Sequence, residues 1–432
     1  MNNWRKDKLF NVADVKLSNV DKKTLENEMP IQLCNYTDVY KNSFVDKCKA
    51  ENFMHASCNQ NEYEKFVLKS GQVAITKDSE KSNDIGIPTY ICDSLEHVVL
   101  GYHLSLITPI KDKLDGKFLK YYLETNQSKK YFENNASGSG QRFFLALDTI
   151  KDIPLFLPQI NIQKKISNLL FNIDSKIELN NKLNKELDIM AKTIYDYWFV
   201  QFDFPNEEGN PYKSSGGKME YHKELKREIP YGWKVSELKK LVKIERGISY
   251  KSTDIDSFSG CPMINLNSFY LDGSYKPEGI KYFKNKYSDN KVVKSGDLII
   301  ATTDVTRNAD IIGKATIVPD IYEGDILLSC DIARIVYDDS LDKYFLEKLF
   351  NSSFYHEYIK GFASGTLVLH LNTNGIEWYK TFIPPKRLLH NFSNLMKPIQ
   401  RKKELVTLEN YELVKLRDWL LPMLMNGQVK VA

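Results

Sequence analysis

Short motifs recur along this chain in the same order and at a nearly constant offset. Trp4, Leu9 and Val12 return as Trp233, Leu238 and Leu241, 229 residues later. Lys69-Ser70-Gly71 returns as Lys294-Ser295-Gly296, and Ala136-Ser137-Gly138-Ser139 as Ala363-Ser364-Gly365-Thr366. Phe156-Leu157-Pro158 returns as Ile383-Pro384-Pro385. An apolar series follows each proline in steps of mostly three and four: Ile162, Ile166, Leu169, Ile173, Leu183, Leu187, Met190 and Ile194. Shifted by 226, it reads Leu388, Phe392, Leu395, Ile399, Glu409, Leu413, Leu416 and Leu420, with only Glu409 polar. One such match is chance; several in order are two copies of one unit.

Each copy has two parts. The first is mixed. Short β-like runs, Gly71–Thr76 and Asp297–Thr302, stand beside helical stretches at Lys117–Tyr131 and Leu341–Tyr358. The second part reads as a long helix, about Gln159–Val200 and about Lys386–Leu420, with Pro158 and Pro385 just before the starts and Pro205 and Pro422 at the ends. Roughly 40 residues at ~1.5 Å each span about 60 Å, too long for an ordinary globular helix. Matching a/d-like seams predict that the two helices pair as a coiled coil, with Asn184 and Asn410 as register-setting polar positions; packing of each helix on its own globular part is the other reading. Gly209, Pro211, Gly216 and Gly217 predict a loop that allows an antiparallel return. The expected fold is therefore α+β: two duplicated mixed α/β domains separated by two long antiparallel helices forming a coiled coil. The segments are 1–155, 156–204 (first helix), 205–232 (linker loop), 233–382 and 383–432 (second helix).

Composition narrows the function. Hydrophobic residues make up 42%, enough for large cores. No run of about 18 apolar residues is present, so no membrane span is expected, and Met1 to Phe10 lacks a signal-peptide core. The six cysteines form no CxxC pair and read as reduced thiols of a cytoplasmic protein. A net charge of +4 permits nucleic-acid binding without requiring it. Gly216-Gly217-Lys218 is followed by Met219 and is no phosphate loop; HExxH, metal-type Cys/His spacing and an amino-methyltransferase Pro-Pro motif are missing. Gly138-Ser139-Gly140 lacks a following third glycine and is a poor cofactor loop. The expectation is a duplicated binder with no catalytic residue, metal or cofactor of its own.

Phe156-Leu157-Pro158-Gln159-Ile160-Asn161-Ile162-Gln163-Lys164-Lys165-Ile166, continuing to Ile173–Asn181, resembles the central conserved region of Type I restriction–modification specificity subunits. So do Tyr195–Phe204, Pro211–Met219 and Arg227–Trp233, while Gly365-Thr366 with Pro384-Pro385 resembles the close of a second target-recognition domain. The resemblance covers essentially the whole chain; Leu388-Leu389-His390-Asn391 departs from it. It implies two target-recognition domains, each reading half of a split, asymmetric site in double-stranded DNA. It also implies a helical spacer docking two modification subunits, which carry the methyl donor and methylate adenine, with restriction subunits joining. The same residues suit a specificity module of another, Type II-like or solitary, modification system; a purely structural coiled-coil adaptor would not need duplicated heads.

Such a reader needs base-edge donors and acceptors on loops, with Lys and Arg for phosphates. In the first domain the candidates are Lys77, Asp78, Ser79, Tyr102, His103, Ser139, Gln141 and Arg142. In the second they are Arg246, Ser249, Tyr250, Thr303, Asp304, Arg307 and Thr366. Arg142 or Gln141 suits a bidentate pair with a purine, and Arg401-Lys402-Lys403 suits phosphates. The plainer reading of these positions is turn chemistry. Trp198 and Phe199 read as helix-end packing or as a face for a partner subunit.

Overall fold

A computed structural model describes residues 4–256 and 259–429. Contacts divide it into two units. One takes the residues up to Leu179 together with those from Glu412 onward; the other is Asn180–Tyr411. Each unit thus holds one mixed head and one stretch of each long helix.

In the first unit a five-stranded sheet runs in the order Ala13–Leu17, Leu104–Pro109, Val73–Thr76, Pro88–Ile91, Phe44–Val45. A four-stranded sheet runs Met54–Cys58, Met29–Cys34, Leu95–Leu100, Val67–Leu68. Strand Val73–Thr76 is buried throughout because both its faces are covered. Val73 and Ile75 point into the core shared with the helices, Ala74 into the core of the four-stranded sheet. That is why the sequence run is continuously apolar rather than alternating.

The second unit repeats the plan. Val242–Arg246, Ile332–Tyr337, Leu298–Ala301 and Ala315–Ile317 form one sheet, and five short strands another. Leu298 and Ile300 face one core, Ile299 and Ala301 the other. In both units the first strand of the head closes antiparallel on its last: Arg5–Lys8 on Pro154–Leu157, Lys234–Glu237 on Lys380–Ile383.

The helical stretches are shorter than expected. The first breaks into Gly116–Leu123 and Asn126–Asn135, because the Thr125 side chain accepts from the Ser128 N–H and starts a new helix. Ser352 does the same between Lys343–Asn351 and Ser353–Lys360.

The long helices run Ile160–Tyr195, continued by a π-helical turn at Asp196–Val200, and Lys386–Met425. Pro422 does not end the second helix as expected; it lies inside the last turn, and Pro398 is also internal, each removing one i→i−4 hydrogen bond without stopping the helix. In the second unit the helices run antiparallel: Asn180 bonds Asn410 (2.9 Å), Asn184 bonds Thr407 (3.3 Å), and Asp188 pairs with Lys403. Asn180 also donates to Glu409, which is why the apolar series is interrupted there. Within the first unit, Ile166 and Leu170 share a core with Leu424 and Met425. Nearer the middle of the first helix, Asp174 bonds Arg417 at 3.1 Å.

Residues 205–232, expected as a bare linker, contain a hairpin of Met219–His222 with Arg227–Pro230. Asp203 anchors its approach by accepting from the Ser214 N–H and hydroxyl.

Candidate nucleic-acid interface

Each head carries a small three-stranded sheet that its larger sheets do not need. In the first it is Asp78–Ser79, Arg142–Phe144 and Ser137–Ser139. In the second it is Thr303–Asp304, Leu369–Leu371 and Ala363–Ser364. The hairpin closing each requires glycine: a Cβ on Gly138 would lie 2.2 Å from the Arg142 carbonyl oxygen, and one on Gly365 2.0 Å from that of Val368. Both have φ near +140°, so the repeated Ala-Ser-Gly-Ser/Thr element is turn chemistry at this position.

The first sheet brings most of that head's candidates together. The Asp78 carboxylate lies 2.6 Å from His103 Nδ1 and 3.8 Å from the Arg142 guanidinium. Arg142 also reaches His103 Nδ1 at 2.7 Å. The His103 ring meets Tyr102 edge-on at 4.3 Å, and the Lys77 ammonium stands 4.7 Å over the Tyr102 ring. Lys77 donates to the Ser18 carbonyl, and burial pushes its ammonium below its usual pKa, with Asp78 opposing and Arg142 adding to the fall. Ser79 is half-buried beside Phe143; Gln141 is exposed at the hairpin tip. Ser139 pairs with Arg142 through the strand, and its side chain lies outside the described set.

The second head corrects two expectations. Asp304 is fully buried, and its carboxylate accepts from the N–H groups of Thr306, Ile311 and Ile312. Thr303 is buried with it. Asp304 holds the loop that follows, and burial closes both side chains to DNA. Arg307 and Thr366 are exposed on neighbouring loops, and Arg246 is exposed with its carbonyl bonded to Lys291. Ser249 and Tyr250 lie beside Cys330 and Asp331, and burial raises the Tyr250 hydroxyl pKa.

Positions the sequence reading missed stand here. The Thr302 N–H donates to the Asp331 carbonyl as the Lys77 N–H does to that of His103, so Asp331 occupies the place of His103. Leu367, 88% exposed, and Val368 stand at the hairpin tip, with Val305 exposed on the loop after Asp304. A search for polar loop residues passes over them; the repeat, followed through strand register, finds them.

Trp198 and Phe199 are packing residues. They are 7% and 1% exposed, and their rings contact Phe392, with Phe345 against Phe199. An interior of aromatic rings leaves no face there for a partner. Arg401 lies exposed near Asp320.

Among the described residues no group of three or more His, Cys, Asp or Glu side chains is placed to hold a metal, and no helix is long and apolar enough to cross a membrane.

Residues 1–188 match the Type I restriction modification DNA specificity domain. The specificity subunit of the Type I restriction enzyme HindI of Haemophilus influenzae is 24% identical, over 99% of this chain and 100% of the relative. The specificity subunit of the Type I restriction enzyme MjaIX of Methanocaldococcus jannaschii is 26% identical, over 74% and 71%. Among solved structures, the S subunit of a Type I restriction–modification system from M. genitalium has the same fold, with a TM-score of 0.58 and 15% identity over 98% of this chain and 97% of that one. Over both heads and both helices, the chain is similar to specificity subunits of Type I restriction–modification systems.

Proposed function

We propose that this chain is the sequence-reading subunit of a Type I restriction–modification complex acting on double-stranded DNA in the cytoplasm. Each head contacts one half of a bipartite, asymmetric site. The chain catalyses nothing itself: the methyl donor and adenine methylation belong to two modification subunits, and cleavage to restriction subunits.

The observation that carries this reading is the pair of equivalent three-stranded sheets bearing different side chains. Tyr102, His103 and Arg142 in the first head stand where the second has Cys330, Asp331 and Val368. One scaffold presented twice with two surfaces suits one site with two unlike halves. The deciding experiment reconstitutes the full chain with its modification subunits and maps modified adenines in DNA. Two unlike half-sites at a fixed gap are expected, with no methylation by the pure chain given methyl donor. A single undivided or palindromic motif, or methylation by the chain alone, refutes it.

A further inference from the structure

We infer that Arg142 reads a guanine in the half-site of the first head, with Asp78 and His103 as its positioning residues. The inference rests on the DNA-reading function proposed above and names a base that function leaves open.

Arg142 stands at the end of the Ser139–Arg142 turn with its side chain 61% exposed. One of its terminal nitrogens lies 2.7 Å from His103 Nδ1, and the same nitrogen is 3.8 Å from Asp78 Oδ2. His103 Nδ1 is also 2.6 Å from that Asp78 oxygen. One ring nitrogen cannot serve both neighbours. With a proton it donates to Asp78 and offers Arg142 no lone pair; without one it accepts from Arg142 and offers Asp78 no proton. Arg142 is therefore oriented by one nitrogen and leaves most of its five donors to an outside acceptor. His103 is itself held firmly. Its backbone is in the left-handed region (φ 73°), its carbonyl accepts from the Lys77 N–H, and its ring rests on Tyr102. A non-glycine residue kept in that region is a feature of sites whose geometry is imposed.

A phosphate also accepts a guanidinium bidentately, but phosphates would face both heads alike, and the second head has Val368 at this position. A guanidinium with a fixed plane matches two acceptors side by side, and in the major groove guanine alone among the bases presents such a pair, N7 and O6. Adenine sets a donor beside N7, and thymine has one acceptor beside a methyl group.

The plainer account, that the cluster holds the head together, fails on the second copy. The same sheet forms there with Thr303 in place of Asp78, Asp331 in place of His103 and Val368 in place of Arg142. The scaffold folds without the cluster, so its cost in ordered charge is met by a different use.

The test selects preferred sites for the full chain from a pool of randomised duplexes, then measures binding to the selected site and its single-base variants. The wild type should select a G·C pair in one half-site. Arg142→Ala should cut discrimination at that pair by about 10- to 100-fold and leave the other half-site unchanged. Asp78→Asn and His103→Gln should weaken discrimination at the same pair without changing the salt dependence, which a loss of general stability would not do. Replacing the guanine by 7-deazaguanine should weaken the wild type and make little difference to Arg142→Ala. A uniform loss over all sequences in Arg142→Ala, with the salt slope shallower by about one, marks a phosphate contact and overturns the inference. So does a selected motif with no guanine tied to Arg142. A wild type that selects no sequence at all refutes the DNA-reading function instead.

Discussion

Replacing Asp174 by Asn removes one charge from a site built around it. The carboxylate is buried in the first unit and accepts from four donors: Ser43 Oγ (2.7 Å), Tyr121 OH (2.7 Å), Lys120 Nζ (3.0 Å) and Arg417 (3.1 Å). Burial alone would raise its pKa. Lys120, the two hydroxyls and Arg417 outweigh this and hold it at about 2, below the usual 3.8. That difference corresponds to about 2.5 kcal/mol of stability. Because the folded-state value is the depressed one, the contribution is present above pH ~4 and is lost as pH falls toward 2. The amide removes this at pH 7 and leaves Lys120, whose side chain is 2% exposed, with Glu124 as its remaining carboxylate partner. Breaking such a buried pair costs about 3–5 kcal/mol. In a unit of about 200 residues this lowers the melting temperature by roughly 6–20 °C. Calorimetry of the full chain should show the first unit's transition moving and the second's staying. A shift under about 2 °C in Asp174→Asn would refute the reasoning.

Three further outcomes can be checked. Asp304→Ala should cost about 3 kcal/mol, because two buried N–H groups and a half-buried one lose their acceptor, and a thermal melt should show it in the second unit only. Gly138→Ala forces a Cβ against the Arg142 carbonyl at a positive φ, so site selection should show lost discrimination in the first half-site with the second unchanged. Inserting seven residues after Asn181 and at the equivalent place near Thr407 keeps the helical seams in phase and adds about 10 Å, or about three base pairs; mapping of modified adenines should find a wider gap between unchanged half-sites.

The architecture was legible because burial leaves a period in the sequence. Ile166, Ile173, Leu388 and Phe392 of the apolar series after Pro158 and Pro385 are buried, Leu169, Met190, Leu395 and Leu416 are exposed, and its single polar member, Glu409, is the acceptor of Asn180. The continuous runs at Val73–Thr76 and Leu298–Ala301 are strands covered on both sides. Helix ends were less legible. Pro422 reads as a stop, but near a helix end the lost hydrogen bond is one of few, and packing of Leu424 and Met425 in the first unit's core carries the helix past it. Trp198 and Phe199 read equally as interior or interface, since an aromatic side chain suits both; only their neighbours decide.

The candidate site shows a different limit. By sequence offset Asp78 corresponds to Asp304, and both follow a strand and precede a polar loop. Strand pairing corrects this by one residue. Asp78 pairs with Phe144 and Thr303 with His370, while Ser79 pairs with Phe143 and Asp304 with Leu369. Successive side chains of a strand point to opposite faces. The Asp304 carboxylate therefore turns inward to the N–H groups of Ile311 and Ile312, while that of Asp78 turns to His103 and Arg142 at the surface. Two acidic residues in like motifs thus acquire opposite fates from a slip of one position, which the register shows and the spacing of residues along the chain does not.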